Sequence, residues 1–115
     1  MSVQITTRLD GDVTIMDVAG KITLGDGSSA LRDKVKDLNA SGVKKILINL
    51  GDVNYIDSSG IGELVSAFTT VSNAGGALKL LNLTKRVHDL LQITKLYTVF
   101  EVFDSEVSGV KSFHG

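Results

Sequence analysis

The sequence predicts an α/β fold, a mixed but mostly parallel β-sheet with about four helices packed against it. Three observations carry that prediction. Short apolar runs with strand character alternate with segments whose apolar residues recur at spacings of three and four. The first two strand patterns are separated only by Asp10-Gly11-Asp12, a turn signal that calls for a hairpin. From there on each strand is followed by a helical pattern, and strands joined through helices run parallel with right-handed crossovers. The expected order is ββαβαβαβα.

Each element has its own justification. Val3, Ile5 and Leu9 fall at even spacing ahead of the turn, and Val13 to Val18 forms the second strand. After Gly20 and the Gly25-Asp26-Gly27 turn, Leu31, Val35 and Leu38 make a helical stripe that Gly42 stops. Ile46 to Leu50 is a short continuous apolar run, the mark of a central strand covered on both faces. Gly51 to Ser59 is then expected as the loop leaving that strand. The next helix buries Ile61, Leu64, Val65 and Phe68 and ends at Asn73-Ala74-Gly75-Gly76, a left-handed stop signal. Leu78 to Leu81 is a further strand, and Thr84 caps a helix carrying Val87, Leu90 and Leu91. Val99 to Phe103 reads as the last strand, and Asp104 or Ser105 caps a short final helix with Val107, Val110 and Phe113.

Composition narrows the function. At 115 residues, 43% of them hydrophobic, the chain suits one core and one domain spanning 1–115. Twelve Lys and Arg against 13 Asp and Glu leave a net charge of −1, which offers no footprint for nucleic acid or an anionic membrane. With no cysteine, disulfides, thiolate metal sites and Cys nucleophiles are excluded together. No apolar stretch is long enough for a membrane span and no signal peptide is visible, so the cytoplasm is the expected location.

The chemistry concentrates in Asp57-Ser58-Ser59-Gly60-Ile61-Gly62, placed between the central strand and the second helix. A carboxylate and two hydroxyls at a helix mouth are expected to cap its first turn, and Gly60 and Gly62 would leave backbone N–H groups unshielded there. Two glycines in one opening turn oppose helix stability by roughly 1 kcal/mol each, so another demand is expected to explain them. In sheets of this kind function gathers in loops at the carboxyl ends of the strands, which is where this segment falls.

Enzyme patterns are weaker. Gly60-Ile61-Gly62 lacks the third glycine of a dinucleotide fingerprint, and there is no phosphate-binding loop ending in Gly-Lys-Ser/Thr. A serine hydrolase would need His88 or His114 as its base, yet Ser58 has no Gly-x-Ser-x-Gly elbow, His114 sits at a terminus where fraying is expected, and His88 reads as a solvated helix residue. No residue cluster suggests a metal, and no pattern suggests a cofactor.

The run Ile48-Asn49-Leu50, then Val53, Tyr55 and Ile56, then Asp57 to Gly62, resembles the signature of the anti-sigma factor antagonist family, also called the STAS domain. Gly20-Lys21-Ile22 is similar to the family's early turn, Gly75-Gly76 matches its end of the second helix, and the element order agrees across nearly the whole chain. The resemblance implies a cytoplasmic binding protein, not an enzyme, whose partner is an anti-sigma factor that is often a serine-protein kinase, with release of a sigma factor as the result. It implies Ser58, directly after the motif aspartate, as phosphoacceptor, and a phosphatase that resets the switch. It places Asp57, Ser59, Gly60, Ile61, Gly62 and Thr23 at the partner surface; Thr23 stands where many family members carry an acidic residue. The alternative is a STAS interaction module of a lipid-transport or stress-sensor complex in which Ser58 is never modified.

Overall fold

The computed structural model describes residues 3–114. Strands β1 (Val3–Asp10) and β2 (Val13–Ile22) form the antiparallel hairpin, and α1 (Asp26–Ala40) follows. Then come β3 (Lys45–Ile56), α2 (Ser58–Asn73), β4 (Ala77–Leu81), α3 (Lys85–Ile93), β5 (Val102–Phe103) and α4 (Glu106–Lys111). The five strands lie in one sheet in chain order, and every pairing after the hairpin is parallel. The α/β class and the order ββαβαβαβα are therefore those the sequence predicts.

Alternation along the strands divides the core in two. Met16 and Val18 of β2 and Ile46, Ile48 and Leu50 of β3 face the large cluster completed by Leu31 and Val35 of α1, Ile61 and Leu64 of α2, and Val87 and Leu91 of α3. The opposite face, with Val13, Ile15, Leu47 and Leu81, is covered by Phe103, Val110 and Phe113. Residues two apart on a strand share a face, so the continuous run Ile46 to Leu50 serves both clusters.

Two boundaries differ from expectation. Strand β3 does not end at Leu50 but runs to Ile56, because β2 continues to Ile22 and pairs Ala19 with Asp52, Gly20 with Val53, Lys21 with Tyr55 and Ile22 with Ile56. Register shifts between Asp17 and Ala19 and between Gly20 and Lys21 break the apolar pattern without ending the strand. Gly51 to Ile56 is thus strand, and only Asp57 separates it from α2. The last strand is shorter than Val99 to Phe103: Tyr97–Val99 is a 3-10 turn and only Val102 and Phe103 pair, with Leu80 and Leu81. Phe100 explains the difference, since it leaves the ladder to bury itself against Phe68, their rings edge-to-face at 5.5 Å.

Candidate functional site

Because β2 and β3 are parallel neighbours, Ile22 and Ile56 pair at the carboxyl end of the sheet, and the segments after them emerge side by side. Asp57 joins the two. Its N–H donates to Ile22 O at 3.3 Å, and its carbonyl accepts from Ile61 N at 3.0 Å to open α2. Its carboxylate accepts from Gly60 N at 2.9 Å through Oδ1 and from Leu24 N at 3.2 Å through Oδ2. One carboxylate therefore caps α2 and ties down the β2–α1 loop.

This corrects the expected division of labour in the motif. The cap is Asp57 alone, with extended backbone angles, and the two serines lie inside the helix. Ser58 is the first helical residue and is exposed; Ser59 is half-buried. The glycines also separate. Gly60 is buried, its N–H is taken by Asp57, and a Cβ there would lie 2.3 Å from Ile22 O and 2.6 Å from Ile56 Cγ1. Close approach of α2 to the strand ends is the demand it meets, not an open backbone. Gly62 is exposed with nothing within 4 Å of a Cβ position.

Ile61 is 1% exposed and packs in the main core, so it sets the surface from beneath. Thr23 is half-buried, and its carbonyl accepts from both Ser28 N and Ser28 Oγ at 3.0 Å, which fastens the start of α1 to the same loop. Tyr55 and Ile56, which fall in the stretch expected as a loop, are the end of β3. Ile56 is buried, whereas Tyr55 is partly exposed beneath the Arg86 guanidinium, 4.4 Å from its ring centre. Arg86 Nε also donates to Ile56 O at 3.3 Å, so α3 braces the strand that delivers the motif.

The histidines find other partners. His88 Nδ1 lies 3.6 Å from Asp89 Oδ1, and its ring meets Tyr97 edge-on at 5.3 Å. His114, expected at a frayed end, has Nε2 2.6 Å from Asp12 Oδ1. Among the described residues no group of three or more His, Asp or Glu is arranged to hold a metal ion, and no helix is long and apolar enough to cross a membrane.

The sequence pattern of the STAS domain matches residues 4–109. The chain belongs to the STAS domain family. The anti-sigma-B factor antagonist of Bacillus subtilis (strain 168) is 32% identical to this STAS domain over 111 residues, covering 96% of this chain and all of the relative. A crystal structure of an anti-sigma factor antagonist from Mycobacterium paratuberculosis has a TM-score of 0.87 at 15% identity and covers 98% of this chain and 95% of that one. The Bacillus cell fate determinant SpoIIAA, in its phosphorylated form, has a TM-score of 0.72 at 16% identity, covering 95% of this chain and 98% of the other. At those identities the two solved structures speak for the fold alone.

The electrostatics of this STAS domain's motif follow from its geometry. Partial burial works to raise the Asp57 carboxyl, but hydrogen bonds from Gly60, Leu24 and Ser59 outweigh it and hold the group below the usual carboxylate range. Asp57 is a fixed negative charge next to an exposed hydroxyl, at the positive end of a helix dipole. Leu24 continues the even spacing of Val18 and Ile22 just past the end of β2, a signal the sequence carries, whereas nothing in the sequence around Arg86 points to Ile56.

Proposed function

We propose that this STAS domain is a cytoplasmic anti-sigma factor antagonist, which binds an anti-sigma factor of the serine-kinase type, frees a sigma factor, and lets go when Ser58 is phosphorylated. The observation that carries the reading is the exposure of Ser58 in the first turn of α2, relieved of capping by Asp57. The anti-sigma-B factor antagonist among its relatives supports the antagonist part of the reading. Asp57, Ser59 and Gly62 neighbour Ser58 along the chain, the Asp57 bond to Leu24 N ties the loop carrying Thr23 to the same helix end, and buried Gly60 and Ile61 support this surface from below.

A phosphoserine adds about −1.5 to −2 charges and three acceptor oxygens, which the amino end of α2 tolerates, so the domain stays folded. At the contact with a partner the same group sits next to Asp57. Like charges brought together there cost several kcal/mol of binding, and the added bulk prevents close contact. A phosphatase returns the free hydroxyl.

Calorimetric titration of the anti-sigma factor into two variants tests this. Ser58→Ala is expected to bind as wild type does, and Ser58→Asp at least about tenfold more weakly, a loss above ~1.4 kcal/mol. With labelled ATP the kinase is expected to mark wild type and leave Ser58→Ala unlabelled. Equal affinity of the two variants would remove the switch.

A further inference from the structure

Leu24 is the most exposed large apolar side chain of the described residues, at 79%. Isolated apolar residues on a surface are ordinary, and Leu9 at 74% is one, paired with Thr14 at the far end of β2. Leu24 differs in place and in support. It follows Ile22 by two residues at the switch end of the sheet, and its N–H is held by the carboxylate that caps the helix bearing Ser58. On either side the loop is pinned: Thr23 O receives two hydrogen bonds from Ser28, and Ser29 N donates to Gly25 O at 2.9 Å, with Gly25 at φ 97°. Such a backbone has already lost most of its freedom, so a partner covering Leu24 gains the burial of an apolar side chain while ordering only two side-chain torsions. Interface hot spots sit in well-packed, desolvated pockets, and a pre-ordered backbone lowers the cost of filling one.

We infer that Leu24 is the apolar anchor of the surface switched by Ser58, taken into an apolar pocket of the partner protein, and that Asp57 is the positioning residue holding it beside the hydroxyl. The inference rests on the partner reading above. It gives that surface two parts on neighbouring loops, an apolar one always presented and a polar one that phosphate closes. The partner is then a protein whose pocket for a branched aliphatic side chain adjoins a patch that accepts a neutral hydroxyl and rejects a charge.

The test uses the full chain and the purified protein that binds Ser58→Ala and not Ser58→Asp. Leu24→Ala is expected to weaken binding roughly tenfold or more, through faster dissociation, with an unchanged melting midpoint. Leu24→Met is expected to keep binding within about threefold, since it preserves apolar volume, and Leu9→Ala is expected to change nothing. Asp57→Asn tests the positioning role: in that background Leu24→Ala is expected to cost much less than it does alone, because the two residues act through one geometry. Full additivity of the pair would overturn the role of Asp57. A partner that holds Leu24→Ala as tightly as wild type overturns the anchor and leaves the Ser58 switch intact. If no protein separates Ser58→Ala from Ser58→Asp, the partner reading fails first and the anchor with it.

Discussion

Two glycines lie two residues apart in the opening of α2, and alanine at each is expected to move stability in opposite directions. At Gly60 a methyl group would sit 2.3 Å from Ile22 O, about an ångström short of ordinary contact, with Ile56 Cγ1 at 2.6 Å and Ile22 Cγ2 at 3.0 Å. The nearest of these is backbone at the carboxyl end of β2, an interior strand, so no rotamer change relieves it and the helix itself must shift. Overpacking of this severity costs about 3 kcal/mol, at the upper end of the usual range, and the better helix propensity of Ala returns about 1. The expected net loss is ~2 kcal/mol. At Gly62 a methyl group would meet nothing within 4 Å, so only the propensity gain of up to about 1 kcal/mol remains. For a domain of this size each kcal/mol moves the midpoint by about 3–5 °C. Thermal unfolding followed by circular dichroism is therefore expected to show Gly60→Ala melting ~6–10 °C below wild type and Gly62→Ala a few degrees above it. If Gly60→Ala melts at or above wild type, α2 does not rest on Ile22 as described, and the account of the motif's first glycine is wrong.

Two more outcomes follow from the same contacts. Since the Asp57 carboxyl is held below its ordinary pKa when folded, its stabilising contribution is complete above the unfolded value of about 3.9 and disappears as pH falls through the lower folded value. In acid unfolding below that range wild type is accordingly expected to lose its advantage over Asp57→Asn, and parallel curves for the two would refute this. Lys79, buried with its ammonium 3.1 Å from Ser112 O, 3.0 Å from Ser112 Oγ and 4.7 Å from the Phe113 ring centre, fastens the end of the chain to β4. Lys79→Ala is expected to lower the urea midpoint by the equivalent of ~1–3 kcal/mol and to expose the residues after α4 to protease; an unchanged midpoint would show that the contact contributes nothing.

Where local rules decide, the sequence was readable. The stripe Leu31, Val35 and Leu38 folds as a helix with the first two buried, and Thr84 and Ser105 cap α3 and α4 by accepting from Val87 N and Ser108 N. The misreadings share one origin, which is that a neighbouring strand or helix decided. Asp57, Ser58 and Ser59 are all good caps, and the choice among them was made by β3 running six residues past Leu50 alongside β2, which leaves Asp57 as the first residue off the sheet. Gly60 looked like a concession of helix stability to an open backbone; only the proximity of Ile22 O shows it to be a packing requirement. Val99 to Phe103 has strand composition, but Phe100 is buried edge-to-face against Phe68 and only Val102 and Phe103 pair with β4. In the motif itself, composition indicated a hydroxyl at a helix mouth, while the bridge from Asp57 to Leu24 spans 33 residues and no local pattern reaches that far.

The adjacency of β2 and β3 has a consequence for how such a domain diversifies. Thr23, Leu24 and Gly25 on one strand exit and Ser58, Ser59 and Gly62 beside the other stand on a foundation made by different residues, among them Ile22, Ile56, Gly60 and Ile61. Under the proposed function, recognition can drift while the foundation stays constant, so duplicated copies in one cell can acquire separate allegiances through a handful of substitutions. For the protein engineer the proposed function makes the same arrangement a socket: under that reading, rewriting the two short exits retargets the domain while Ser58 is kept as its release catch.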